Sequence, residues 1–140
     1  KIEDAQMIRK LEHQVWGEEV VNKYDIPMYI HFGYVYIAKY ESKIIGAITA
    51  YMTNKGDVYV CDLVVAKKFR GNKVGEKLYR KLLKSTKGKD IVSFLDPKNI
   101  PTLNLHKKLG AKIIAKVKNP YGLNKGLEKD IRFFVRIKNS

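Results

Sequence analysis

An apolar strand, a Gly-bearing basic turn and an amphipathic helix follow one another between Val58 and Leu83. The strand reads Val58-Tyr59-Val60-Cys61-Asp62-Leu63-Val64-Val65, rich in β-branched and aromatic residues. The turn runs from Lys67 to Gly75 and carries Lys67, Lys68, Arg70 and Lys73. The helix then places Val74, Leu78, Leu82 and Leu83 on one face, the spacing of a buried stripe. A strand ending in such a turn aims unpaired backbone N–H groups above the helix N-terminus. Those donors and the positive end of the helix dipole form a site for phosphate. The segment therefore predicts a phosphorylated ligand.

Composition narrows the rest. At 140 residues, 45% hydrophobic and 30% charged, the chain reads as one folded domain over residues 1–140. No apolar run approaches the ~20 residues of a membrane span, and no secretory apolar region is present. The single cysteine, Cys61, excludes an internal disulfide framework and a paired-cysteine metal site, so a reducing, cytoplasmic setting is expected. Cys61 itself reads as a small core residue. The chain starts at Lys1, and a trimmed N-terminal segment is expected to precede it. The net charge of +14 favours polyanionic partners, whether nucleic acid, anionic membrane or a nucleotide-like cofactor, against the plain alternative of a solvated lysine-rich surface. The lysines are spread along the chain rather than gathered in a tail, which weakens the nucleic-acid reading.

Along the chain, Asp4 to Glu18 reads as a helix with Ala5, Ile8, Leu11 and Val15 on one face. Pro27 is expected to break any continuing helix after Asp25-Ile26. Tyr34 to Tyr40 and Ile44 to Met52 form a predicted hairpin about Glu41-Ser42-Lys43. Thr53 to Asp57 turns the chain into the strand already described. Ile91 to Leu95 is a short buried strand, and Asn99, Pro101 and Gly110 cap, start and close a further helix. Ala111 to Lys118 and Asp130 to Lys138 are the last strands, separated by a polar loop from Asn119 to Glu128. This order predicts an α/β domain built on a mixed sheet, with ligands received where strand ends splay and helices begin.

Arg70-Gly71-Asn72-Lys73-Val74-Gly75, following Leu63-Val64-Val65, resembles the acetyl-CoA-binding motif of the GNAT N-acetyltransferases. Arg70 and Gly75 match the motif's ends, and Lys73 stands where its middle Gly is usual. Asn99, Thr102, Leu105, His106, Lys108, Leu109 and Gly110 resemble the family's second motif. The hairpin Ile37-Ala38 to Ile44-Ile45-Gly46 and the pair Asp130 and Phe134 resemble its other strands. The likeness covers almost the whole chain in order, without the strand that in this family precedes the first helix. It implies the family fold, a mixed, mostly antiparallel sheet of six to seven strands flanked by helices. It also implies an acetyl-CoA-dependent N-acetyltransferase that passes the acetyl group directly to an amine of a peptide, protein or small molecule, as a monomer or homodimer.

The resemblance implies a division of labour among residues. The CoA pyrophosphate would rest on the backbone of Arg70, Gly71, Asn72, Lys73, Val74 and Gly75, with Lys73 in helical dihedrals. Pantetheine would pair with the main chain of Leu63 and Val65, with Asn99 also contributing to the cofactor site, and the strands would splay around Ala66 and Ile91. The backbone N–H of Val64 would stabilise the oxyanion. His106 takes the place of the family's common Tyr and is the candidate general acid, with packing beneath the cofactor as its alternative. Asp62 is the candidate base; a charged residue in so apolar a strand is expected to face solvent, substrate or a partner. Glu18 and Glu19 are the alternative acceptor-binding carboxylates. Trp16, Tyr24, Tyr34, Tyr36 and Tyr40 read as core and sheet-surface aromatics before pocket linings. His13 and His31 have no metal-ligand spacing, and no metal is expected. The rival class is a nucleic-acid- or ribosome-associated module with weak or no CoA chemistry, whose affinity would fall steeply with salt.

Overall fold

Among the described residues, strong β formers separated by turn residues give six strands, and the periodic apolar segments give four α-helices. The computed structural model describes residues 1–17, 23–122 and 130–140. After a single 3-10 turn come α1 (Ala5–Trp16), α2 (Asp25–Phe32), β1 (Tyr34–Tyr40), β2 (Lys43–Met52) and β3 (Val58–Val65). Then follow α3 (Val74–Ser85), β4 (Ile91–Leu95), α4 (Ile100–Lys108), β5 (Lys112–Lys118) and β6 (Ile131–Ile137). One sheet joins the strands in the order β1-β2-β3-β4-β6-β5, antiparallel throughout except for the parallel pair β3 and β4. Glu18, Glu19 and most of the loop expected between Asn119 and Glu128 lie outside the described residues.

Each face of the sheet buries its own helices. Leu78, Tyr79 and Leu82 of α3 pack on Ile48, Ala50, Val58, Val60 and Ile91, with Leu105 of α4 and its C-cap Leu109 against the same cluster. Ile8 and Leu11 of α1 and Ile26 of α2 pack on Ile44, Ala47 and Val64 of the other face. Fully burying one such side chain contributes about 1.5–3 kcal/mol, so these two clusters anchor the helices. Gly46 sets the distance between β2 and α3, since a Cβ there would lie 2.9 Å from a Val74 methyl carbon.

Two expectations are corrected at this level. Pro27 does not end a helix but stands in the first turn of α2, where its missing N–H has no intrahelical partner to lose. The outward facing expected of Asp62 fails because the alternation of β3 is broken in its middle. Thr49 pairs with Asp62 and Ala50 with Val60, which leaves Cys61 as the extra residue of a β-bulge. The bulge re-aims Asp62, so Val58 and Val60 face α3 while Asp62 and Val64 face α1.

Candidate active site

The parallel strands β3 and β4 stay together for only two registered pairs, Val58 with Ile91 and Tyr59 with Val92. Beyond them the strands part, although β3 continues to Val65 and β4 to Leu95. The fork therefore opens after Tyr59 and Val92, earlier on β3 than the expected Ala66. Its closed end is pinned by Arg136 of β6, whose Nη1 donates to Asp57 Oδ1 at 2.9 Å and to Asp90 Oδ2 at 3.2 Å. The charges are part-buried and doubly paired, so this bracket outweighs an ordinary surface pair.

Above the fork lies a cleft of about 750 Å³, between the end of β3, the basic turn, α3, α4 and the end of α1. Its walls include Leu63, Val65, Arg70, Gly71, Lys73, Val74, Gly75 and Asn99, eight residues expected at a cofactor site. Gly75 lies in the wall between α4 and β3, where an added Cβ would touch Leu105 and Leu63 at 3.6 Å each. Arg70 Nε donates to the Val65 carbonyl at 3.3 Å and ties the turn to the strand. Asn72 Nδ2 donates to the Phe69 carbonyl at 3.2 Å, a turn contact rather than a place in the cleft wall. Asn99 Oδ1 accepts from the Thr102 N–H at 3.2 Å and caps α4.

The turn's backbone departs from expectation at Lys73. Its φ of 61° and ψ of 23° are left-handed rather than helical, and it is the N-cap of α3. Gly71 is left-handed too, at φ 86°. Two such residues in three steps coil the chain so that α3 starts at the mouth of the cleft with its N–H groups open. A non-Gly residue in this region costs about 1–2 kcal/mol, which explains why Gly is the usual choice here.

The ladder between β2 and β3 decides which backbone groups face the fork. The Ala66 N–H bonds the Ile45 carbonyl at 2.8 Å, and Val64 lies opposite Ala47 in the same ladder. Antiparallel alternation then turns the Val64 N–H toward β2 and those of Leu63 and Val65 toward the open fork. Val64 is thus committed to the sheet, which corrects its assignment as oxyanion donor. Leu63 and Val65 thus present main-chain N–H groups to the open fork.

Asp62 is 6% exposed and lies behind β3 against Glu12 of α1, itself fully buried, outside the cleft wall. Burial first, and then the Glu12 carboxyl, push Asp62 far above the ordinary carboxylate range, with the Leu63 N–H opposing that rise. Two buried carboxyls in contact cannot both ionise, so the pair retains a proton. The expectation that Asp62 faces solvent, substrate or partner is thereby overturned, the cause being the bulge at Cys61. The Cys61 thiol donates to the Thr49 carbonyl at 3.2 Å, and burial pushes it up to about 12, leaving it an unreactive thiol.

His106 is 4% exposed on the inner face of α4. Its Nδ1 lies 2.8 Å from the Thr102 carbonyl, an acceptor only, so Nδ1 carries the hydrogen. Nε2 then accepts from the Tyr79 hydroxyl at 2.8 Å. Burial holds the ring below its usual range. His106 is doubly engaged through its two ring nitrogens and does not line the cleft.

Several wall residues carry no motif signal. Val15 and Trp16 close the cleft from α1, so Trp16 belongs to the pocket, whereas Tyr24, Tyr34, Tyr36 and Tyr40 do not line it. Glu76 accepts from Lys108 at 2.7 Å and from Arg80 at 2.9 Å, which hold it down at about 2 and link α3 to α4. The basic residues are gathered rather than spread. Residues 67–118 hold sixteen Lys and Arg against three Asp and Glu, while residues 1–66 hold seven against nine. From this stretch Lys67, Arg70, Lys73 and Lys108 line the cleft, against Glu76 alone among acids, so the wall is positive. Among the described residues, no cluster of three His, Cys, Asp or Glu could hold a metal, and no helix is long and apolar enough to cross a membrane.

Known proteins share this architecture. Residues 5–111 match the Acetyltransferase (GNAT) family, and the chain belongs to it. The comparison with curated proteins returned no match. Among solved structures, Naa50 of Arabidopsis thaliana, in complex with the bisubstrate analogue CoA-Ac-MVNAL, is similar at TM-score 0.79 and 19% identity, over 99% of this chain and 94% of that one. Ard1 from Thermoplasma volcanium is similar at TM-score 0.81 and 14% identity, over 97% and 91%. An aminoglycoside 6'-N-acetyltransferase complexed with coenzyme A is similar at TM-score 0.74 and 16% identity, over 94% and 88%. At these identities the likeness defines the fold. Membership of the family makes the chain an acetyltransferase that takes its acetyl group from acetyl-CoA.

Proposed function

We propose that the chain is an N-acetyltransferase that binds acetyl-CoA in the forked cleft and passes the acetyl group directly to an amine. The carrying observation is the fork itself, where the main chain of Leu63 and Val65 turns toward open space beside a left-handed basic turn. The Val65 backbone pairs with the pantetheine amides. The backbone of Gly71 to Gly75 and the start of α3 receive the pyrophosphate, with Arg70 and Lys73 supplying charge. Leu63 lies deepest in the fork, so its N–H is assigned to the acetyl oxygen, a role typically worth ~3 kcal/mol.

Acetyl-CoA supplies an activated thioester: the N–C bond forms, the C–S bond breaks, and sulfur leaves with the electron pair. A thiol of ordinary pKa ~8.5 departs near neutrality without a strong acid, which suits a site whose His106 is occupied. Asp62 retains its proton and does not serve as base, so the amine sheds its proton to water before or during attack. His106 and Tyr79 hold α4 against α3 and so fix the cleft's width.

Thermal unfolding with acetyl-CoA, CoA and a short RNA, at low and moderate salt, tests this reading. A ligand at ~100 times its Kd adds ~2.7 kcal/mol, so both CoA forms should raise the midpoint by several degrees at either salt. No shift with CoA, beside an RNA shift that vanishes in salt, would contradict it.

A further inference from the structure

We propose that the acceptor is a primary amine carried beside a large apolar or aromatic group, received on a row of aromatic rings across the fork's α2 face; this rests on the acetyl-CoA reading above. Tyr51 of β2, Tyr59 of β3 and Phe94 of β4 stand side by side, with ring centroids 5.5 Å and 6.2 Å apart. Tyr29 of α2 stacks on Tyr51 at 5.8 Å and 7°, and Tyr121 meets Phe94 edge-on at 5.8 Å. The row crosses the sheet where β3 and β4 part, since Tyr59 and Val92 form the last registered pair. It lies on the face opposite α3, so an amine resting there meets the thioester from the far side of the fork.

The row's chemistry selects the ligand. Tyr29 and Tyr59 are half-buried, while Tyr51 and Tyr121 are exposed at the row's flanks, which gives an apolar floor with accessible rims. Burial pushes Tyr29 up to about 12 and raises Tyr59 and Tyr121, so the rings stay neutral. Among the described residues, the acids near the row other than Asp25 are already committed. Asp96 and Asp130 hold Arg132, which lies over Tyr121 at 5.8 Å, and Asp62 lies with Glu12. Asp25 at the start of α2 is near Tyr29 and can meet one ammonium. A polyamine needs several free carboxylates. One ammonium beside an apolar group needs a ring face and buried area, and the row supplies both.

The same chemistry is presented by a small arylalkylamine and by the N-terminus of a peptide with a large apolar first residue. The test measures CoA release from acetyl-CoA with tyramine, spermidine, and two peptides differing only in a Leu or Asp first residue. Tyramine, the Leu peptide or both should exceed spermidine and the Asp peptide about tenfold in kcat/KM. The preferred member of the pair distinguishes the two sources. Tyr121→Ala and Tyr51→Ala should each raise acceptor KM several-fold while leaving acetyl-CoA affinity unchanged. Preference for spermidine or the Asp peptide, an unchanged KM in both variants, or acetyl-CoA binding with no amine accepted would overturn the proposal and spare the cofactor reading. Absence of acetyl-CoA binding would overturn both.

Discussion

Nε2 of His106 lies 2.8 Å from the Tyr79 hydroxyl, while Nδ1 of the same ring donates to the Thr102 carbonyl at 2.8 Å. The first contact fastens α4 to α3, and the second, within α4, holds the neutral ring in the tautomer that accepts it. An unfolded histidine takes up a proton near pH ~6.5, whereas the buried ring does so only at lower pH. Between those values the unfolded state binds more protons, so stability falls as pH drops below about 6.5. Thermal unfolding followed from about pH 7.5 down to about pH 5 should show a shallower loss in His106→Gln than in the parent chain. Tyr79→Phe should cost about 1 kcal/mol. Acetyl transfer should survive His106→Gln at a reduced rate, and complete loss would restore the general-acid role.

Lys73 carries strain that Gly would relieve. Its left-handed backbone costs about 1–2 kcal/mol, against about 0.5–1 kcal/mol of extra chain entropy for Gly. Lys73→Gly should therefore raise stability by about 0.5–1 kcal/mol in urea unfolding, with acetyl-CoA binding retained. Destabilisation would mean that the turn is not left-handed there.

Asp62 and Glu12 impose a pH dependence of opposite sign to that of His106. Unfolded carboxyls lose their protons near pH ~4, while burial keeps one on the native pair. The native state then binds more protons above that pH, and this contribution falls as pH rises. The stability difference between Asp62→Asn and the parent chain should grow in the variant's favour with rising pH. Acetyl transfer by the variant should persist, and its abolition would return Asp62 to the list of bases.

The positive field around the cleft should act on rate more than on affinity. Stopped-flow association of acetyl-CoA should slow several-fold between about 50 mM and about 200 mM salt, with a smaller change in the dissociation rate. A double change of Lys67 and Lys68 to Glu should flatten that dependence. An association rate indifferent to salt in the parent chain would contradict the steering role.

The strands, α3 and α4 were legible because their signals are local and repeated. β-branched runs mark β2 and β3, the four-residue spacing of Val74, Leu78 and Leu82 marks α3, and Asn99 with Gly110 brackets α4. What escaped depends on single residues in three-dimensional context. Pro27 reads as a breaker until its place in a first turn is known. One extra residue at Cys61 leaves no trace in composition, yet it turns Asp62 from the α3 face of the sheet to the α1 face. Lys73 looks helical from its neighbours, and only the path of the turn makes it left-handed. The aromatic row joins residues from three strands, a helix and a loop, so no sequence window contains it.

Titration calorimetry of acetyl-CoA into the parent chain and into Gly75→Glu measures the cleft most directly. Gly75 lies in the cleft wall, with room for a Cβ but with Leu63 and Leu105 3.6 Å from it, so a longer charged side chain there projects into the cleft. The expected result is one site of low-micromolar affinity in the parent chain, with binding abolished in a variant that still unfolds cooperatively. Equal affinity in both, in folded protein, would place acetyl-CoA elsewhere and contradict the assignment of this cleft.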